Sequence, residues 1–234
     1  MEIKPIEISS VEQKSAQAVL FRNVYTWMTM ALVVTGITSL IVANSPSLMQ
    51  AIYGNRILFY GLLLGELGLV WYISARIGSL SLNTATLLFI VYSIFNGVTM
   101  AFLFAVYTAT SIASTFFITA GTFAAMALVG TFTKKDLSSW GRFLIMALIG
   151  LIIASVVNLF LKNETMYWII SYIGVLLFVA LTAYDAQKIK NLIQMHGNEV
   201  NESTQKIALM GALTLYLDFI NLFIYLLRIM GNRR

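Results

Sequence analysis

The chain has no cysteine, one histidine and two prolines, and charged residues make up only 11% of it. Each scarcity removes a class of function. Without cysteine there are no disulfides, thiolate zinc sites, iron–sulfur clusters or cysteine nucleophiles, and nothing reports the redox compartment. His196 lies beside Gly197 and Asn198, which reads as a solvated loop. Neither a histidine-rich metal site nor a Ser-His-Asp triad within apolar surroundings can then be assembled. Globular domains carry roughly a quarter charged residues; at under half that density, polar groups cannot cover a water-facing surface. A soluble enzyme is excluded first.

What the chain has is apolar mass: 59% of its 234 residues are hydrophobic and the mean hydropathy is +0.83. A net charge of +5 would suit nucleic acid, but the basic residues are scattered at the ends of apolar runs. Lipid headgroups and membrane topology account for them, so the bilayer is the expected partner and nucleic acid is not.

Seven apolar runs are each near the roughly 20 residues that cross about 30 Å of hydrocarbon. They are Val24 to Ala43, Ile57 to Ala75, Asn83 to Phe104, Thr110 to Phe132, Phe143 to Leu161, Met166 to Tyr184 and Ile207 to Leu227. The expected fold is an all-α integral membrane protein of seven transmembrane helices. Its parts are a cytosolic N-terminal arm over 1–23 with no cleaved signal peptide, a membrane domain over 24–229, and a short basic tail over 230–234. The arm and the even-numbered loops hold ten Lys and Arg, the odd-numbered loops two. The positive-inside rule therefore puts the arm in the cytosol. Arg228, Arg233 and Arg234 follow the last run and would lie outside if it crosses, against the same rule, so the run either crosses against its charge bias or re-enters; its length suffices for crossing.

Three acidic residues fall within or beside the spans: Glu66, Asp185 and Asp218. A carboxylate in hydrocarbon is costly, so such residues face the bundle interior and mark ion or proton paths. Asp218 lies midway along the last run, on one helix face with Gly211, Thr214, Asn221 and Tyr225. The bland alternative for that face is an interhelical hydrogen-bond seam. In an antiparallel hairpin, residues equidistant from the turn meet. The midpoint between Asp185 and Asp218 falls inside Gly197–Ser203, the best turn candidate nearby. If the sixth helix continues through Gln187 to about Met195, the two aspartates face each other. Two carboxylates in one low-dielectric site cannot both ionise cheaply, so they hold one proton and titrate together, as a pH sensor does.

Span parity puts Arg76 on the same side as that turn, as a candidate latch on the ionised pair or simply an interfacial positive-inside arginine. Glu66 lies ten residues earlier on the same helix, about 15 Å deeper. It is a candidate pore carboxylate beside a Gly61/Gly65 packing face. Asn96 and Asn158 read as amides that hold helices together.

The segment Leu215-Tyr216-Leu217-Asp218-Phe219-Ile220-Asn221-Leu222-Phe223, preceded by Ala183-Tyr184-Asp185, resembles the hallmark of the Bax inhibitor motif (transmembrane Bax inhibitor-like) family of seven-span membrane proteins. The resemblance covers nearly the whole chain, and the short tail without a lysine-rich extension is similar to the bacterial branch. It implies a last helix wrapped by the other six and a buried dyad at Asp185 and Asp218. It also implies a latch at Arg76 and a pH-sensitive Ca²⁺ leak in the plasma membrane. Glu66 and Asn221 would lie on the ion pathway, Ca²⁺ would be the permeant ion, and no cofactor or tight metal site is expected.

Two other classes remain. An intramembrane aspartyl protease also places Tyr-Asp on one span and an aspartate on the next, but it needs Gly-x-Gly-Asp where this chain has Leu215-Tyr216-Leu217-Asp218. It needs a Pro-Ala-Leu element as well, and the prolines here are Pro5 and Pro46. An accessory protein acting on membrane proteases or cell-death partners has no residue against it.

Overall fold

The computed structural model describes residues 5–233. The chain runs through α1 (Pro5–Ala43), α2 (Pro46–Tyr53), α3 (Arg56–Arg76), α4 (Leu82–Met100), α5 (Phe102–Val106), α6 (Ala109–Phe132), α7 (Ser138–Leu161), α8 (Glu164–His196) and α9 (Glu202–Met230). Seven segments are long and apolar enough to cross a membrane, with α4 and α5 counted as one. The protein is an all-α integral membrane protein. Helices are the economical solution because hydrocarbon offers no partner to an unpaired backbone group. Pro46 stands at the start of α2, where the missing N–H would be unbonded anyway. Asn55, Ser81 and Thr108 cap α3, α4 and α6 by accepting from backbone N–H groups of the first turn, which places short polar residues at the breaks between apolar runs.

Two compact units divide the chain: residues up to Ala105 with Ile189–Tyr216, and Val106–Lys188 with the chain from Leu217 onward. Both α8 and α9 therefore contribute to each unit.

In the first unit the N-terminal half of α1 departs from expectation. From Pro5 onward the stretch expected as an arm is helix continuous with the first span, in one helix of 39 residues. The reason is amphipathic. Ala16, Leu20, Val24, Met28 and Ala31 are buried at spacings of three and four, while Glu12, Lys14 and Arg22 are exposed. Gln17 donates its amide to the Gln194 carbonyl near the end of α8 (3.5 Å). Further along, Thr35 Oγ1 lies 2.7 Å from the Tyr216 hydroxyl and donates to the Ser93 carbonyl (2.9 Å). The Tyr216 ring meets Phe89 and Tyr92 edge to face, with centroids 5.6 and 5.8 Å away, a favoured aromatic geometry.

The third run is also interrupted, at Ala101. The Tyr53 hydroxyl, from the short α2, donates to the Val98 carbonyl (2.5 Å) and accepts from the Phe102 N–H (3.0 Å). One side chain thus satisfies backbone groups on both sides of the break.

In the second unit, Phe219 of α9 meets Phe116 and Phe123 of α6 at 5.4 and 5.5 Å between centroids, and Tyr225 stacks on Phe178 of α8 at 5.8 Å. This aromatic packing holds α6, α8 and α9 around the level of Asp218.

Candidate functional site

The α8–α9 hairpin turns over residues 197–201, inside the expected segment, and α8 continues through Gln187 to His196. His196 is exposed on the last turn of α8 rather than in the loop, its Nδ1 3.2 Å from the Leu192 carbonyl. Asp185 and Asp218, 8% and 5% exposed, are brought together by this hairpin. Their carboxyl groups lie close enough to interact directly. Two carboxylates this close in a buried site cannot both ionise cheaply, so the pair favours holding a proton. Asp218 Oδ2 is buried and has no hydrogen-bond partner among the described residues, an arrangement that leaves one acceptor open to a proton, water or cation.

The surroundings of the pair are close-fitting. Gly130 of α6 lies against the Ala183 backbone, and Gly141 of α7 lies against the Tyr184 ring. A Cβ at either position would overlap α8 within two turns of Asp185. Lys188, one turn beyond Asp185, is exposed and holds its ammonium 5.9 Å from the Tyr184 ring centroid.

Gln187 is the residue that sequence reasoning missed. It is 6% exposed; its Oε1 accepts from the Leu137 N–H (2.7 Å) and its amide donates to the Lys135 carbonyl (2.8 Å). The α6–α7 loop is thereby pinned to α8 two residues from Asp185. In that loop Asp136 accepts from the Ser138 N–H (2.9 Å), and the side-chain and backbone hydrogen bonds from Ser138 hold its carboxyl below the usual range. A buried amide beside an acid was the available signal, but its loop partner has no sequence signature.

The remaining polar residues of the α9 face turn to their own helix. Thr214 donates to the Met210 carbonyl (3.0 Å) and Asn221 to the Leu217 carbonyl (2.8 Å). The face is therefore not an interhelical seam at these positions, and Asn221, half-buried, stands one turn from Asp218.

Glu66 and Arg76 belong to the first unit. Glu66 is buried between α3 and α4, where Thr99 Oγ1 donates to it and the Asn96 side chain lies beside it. The Asn96 Oδ1 is buried without a partner among the described residues. Of the two glycines beside Glu66, Gly65 lies 3.6 Å from the Phe95 ring by its would-be Cβ, while Gly61 faces open space, so the expected two-glycine packing face is half present. Arg76 ends α3, is exposed, and forms no ion pair among the described residues. Asn158 does not join helices as expected. Its Oδ1 accepts from the Asn163 N–H (3.0 Å), which ties down the α7–α8 turn.

Comparison with known proteins gives a consistent set of relatives. A family model described as Inhibitor of apoptosis-promoting Bax1 matches residues 17–234. The inner membrane protein YbhL of Escherichia coli (strain K12) is 47% identical over 234 residues, 100% of each chain. The protein RP147 of Rickettsia prowazekii is 46% identical over 216 residues, 91% of this chain and 89% of the relative. A Deinococcus radiodurans protein is 37% identical over 230 residues, 97% of each.

Proposed function

The chain belongs to the Inhibitor of apoptosis-promoting Bax1 family, and on that premise we propose that it is a pH-sensitive, calcium-permeable leak channel rather than an enzyme. Its proposed site is the bacterial inner membrane, the location in the name of its Escherichia coli relative, with the N-terminus in the cytosol. One observation carries the reading: two carboxyl groups, buried within helices that cross the membrane, lie close enough to interact directly. A structural seam would be served by neutral Asn or Ser at far lower cost.

The mechanism follows from charge. When the pair is ionised, it attracts a cation, and Arg76 is the proposed latch on the grounds of its charge and its side of the membrane. Acidification protonates the pair and removes the attraction, so helices held by it separate and flux rises as pH falls. Glu66 and Asn221 are the proposed oxygen ligands along the path. Ca²⁺ is a hard cation that takes several oxygen ligands, and so few carboxylates along the spans suit transit rather than storage. No cofactor is required.

Purified protein in liposomes loaded with a calcium-sensitive dye tests the proposal. Uptake of Ca²⁺ without any partner, rising from neutral to acid pH, supports a channel. Cleavage of a membrane-embedded peptide would support the aspartyl protease reading, and neither activity would support the accessory reading.

A further inference from the structure

At the end of α8 opposite the α8–α9 turn, the second unit contains a second charged cluster that the aspartate pair does not use. After α9 the chain is tied back: Asn232 N–H donates to Ser111 Oγ (3.0 Å), and the Asn232 carbonyl accepts from the Thr108 N–H (3.2 Å). Arg233 forms an isolated backbone bridge with Tyr107. This clamp aims the Arg233 guanidinium at Tyr167, whose hydroxyl accepts from Nη2 at 3.0 Å. Arg228 lies over the rings of both Tyr167 (5.6 Å) and Tyr225 (5.1 Å). The third cation, Lys162, closes α7 in a left-handed conformation with φ 50°, its N–H bonded to the Asn158 carbonyl (2.8 Å).

The three cations line one cavity of about 780 Å³. Glu164 is the single carboxylate in its wall, and among the described residues none of these four groups is in an ion pair. Guanidinium groups immobilised on aromatic faces and not held in an ion pair form a ready anion site, with three cations to the one carboxylate in this wall. Besides the polar Ser155, Asn158 and Asn163, the wall has an apolar stretch that includes Val156 and Leu159 of α7 and Trp168 of α8, with Leu159 73% exposed on the outer face of the bundle. Trp and Tyr at this depth are the side chains that sit at headgroup level. An anion that matches both walls is charged at one end and aliphatic at the other.

We propose that this cavity binds the phosphodiester of an anionic phospholipid, with Arg228 and Arg233 on the phosphate oxygens and the acyl chains running along α7. Free phosphate shares the oxygen chemistry but leaves the apolar wall uncovered. Bound lipid would tie the tail, α7, α8 and α9 together at this end.

Native mass spectrometry of the full chain, released from detergent micelles containing equal phosphatidylglycerol and phosphatidylcholine, tests the site. The expected result is about a tenfold preference for phosphatidylglycerol. It should be lost in the Arg228→Gln/Arg233→Gln variant, largely kept in Arg228→Lys/Arg233→Lys, and unchanged in Lys206→Gln at the other end of α9. Should the double glutamine variant lack helical circular dichroism, Arg233→Gln alone serves, because Arg233 is exposed. Equal retention of the two lipids by the parent, or an unchanged preference in the glutamine variants, overturns the proposal. Complete displacement of phosphatidylglycerol by millimolar inorganic phosphate also overturns it, and assigns the site to a free anion.

Discussion

Asp185 and Asp218, on consecutive helices running in opposite directions, are buried with their carboxyl groups in direct reach of each other, while the Asp218 Oδ2 has no partner among the described residues. A pair of this kind has one stable arrangement with a proton between the groups and another, costlier one without it. Coupling the second arrangement to helix position is what turns a buried acid pair into a switch.

Arg76→Ala tests the latch. The variant should leak Ca²⁺ at neutral pH nearly as fast as the parent does in acid, with little further gain on acidification. Parent-like pH dependence in liposome flux would reduce Arg76 to a topology charge.

Glu66→Gln should lower flux at every pH without moving the midpoint of the pH response, because it weakens the cation path and leaves the aspartate pair intact. A shifted midpoint with unchanged maximal flux would place Glu66 in the gate instead.

Packing around the pair should tolerate no added carbon. Gly130→Ala puts a methyl into the Ala183 backbone, and overpacking of this kind costs about 1–3 kcal/mol. Gln187→Leu removes both hydrogen bonds to the α6–α7 loop, a loss of about 1–3 kcal/mol. Thermal melts in detergent should show lower Tm for both variants, and a Gly130→Ala protein as stable as the parent would contradict the close approach.

Topology can be read on a cysteine-free background. A cysteine at Asn198, exposed in the α8–α9 turn, should resist an impermeant thiol reagent in intact cells, and one at Asn44, exposed after α1, should react. Equal labelling at both positions contradicts a cytosolic N-terminus.

Much of this was legible before any coordinates. Hydropathy located seven spans because hydrocarbon thickness alone sets their length. The aspartate pairing followed from hairpin symmetry, which needs only the position of one turn. The course of α1 before Val24 was not legible, because there the helix is amphipathic and its charged face breaks the apolar run that marks a span. Tyr53 filling the break at Ala101, and Gln187 holding residues 135 and 137, were hidden for a different reason. Each is a single side chain satisfying backbone groups of a segment far away in sequence, and no local pattern encodes such a partner.

The central claim is that Asp185 and Asp218 act as one titrating unit that governs flux. A double-mutant cycle measures it directly: Ca²⁺ flux in liposomes across pH for the parent, Asp185→Asn, Asp218→Asn and both together. Either single replacement should abolish most of the pH response and the second should add little, since non-additivity is the mark of groups in contact. Two independent shifts that sum in the double variant would contradict the account.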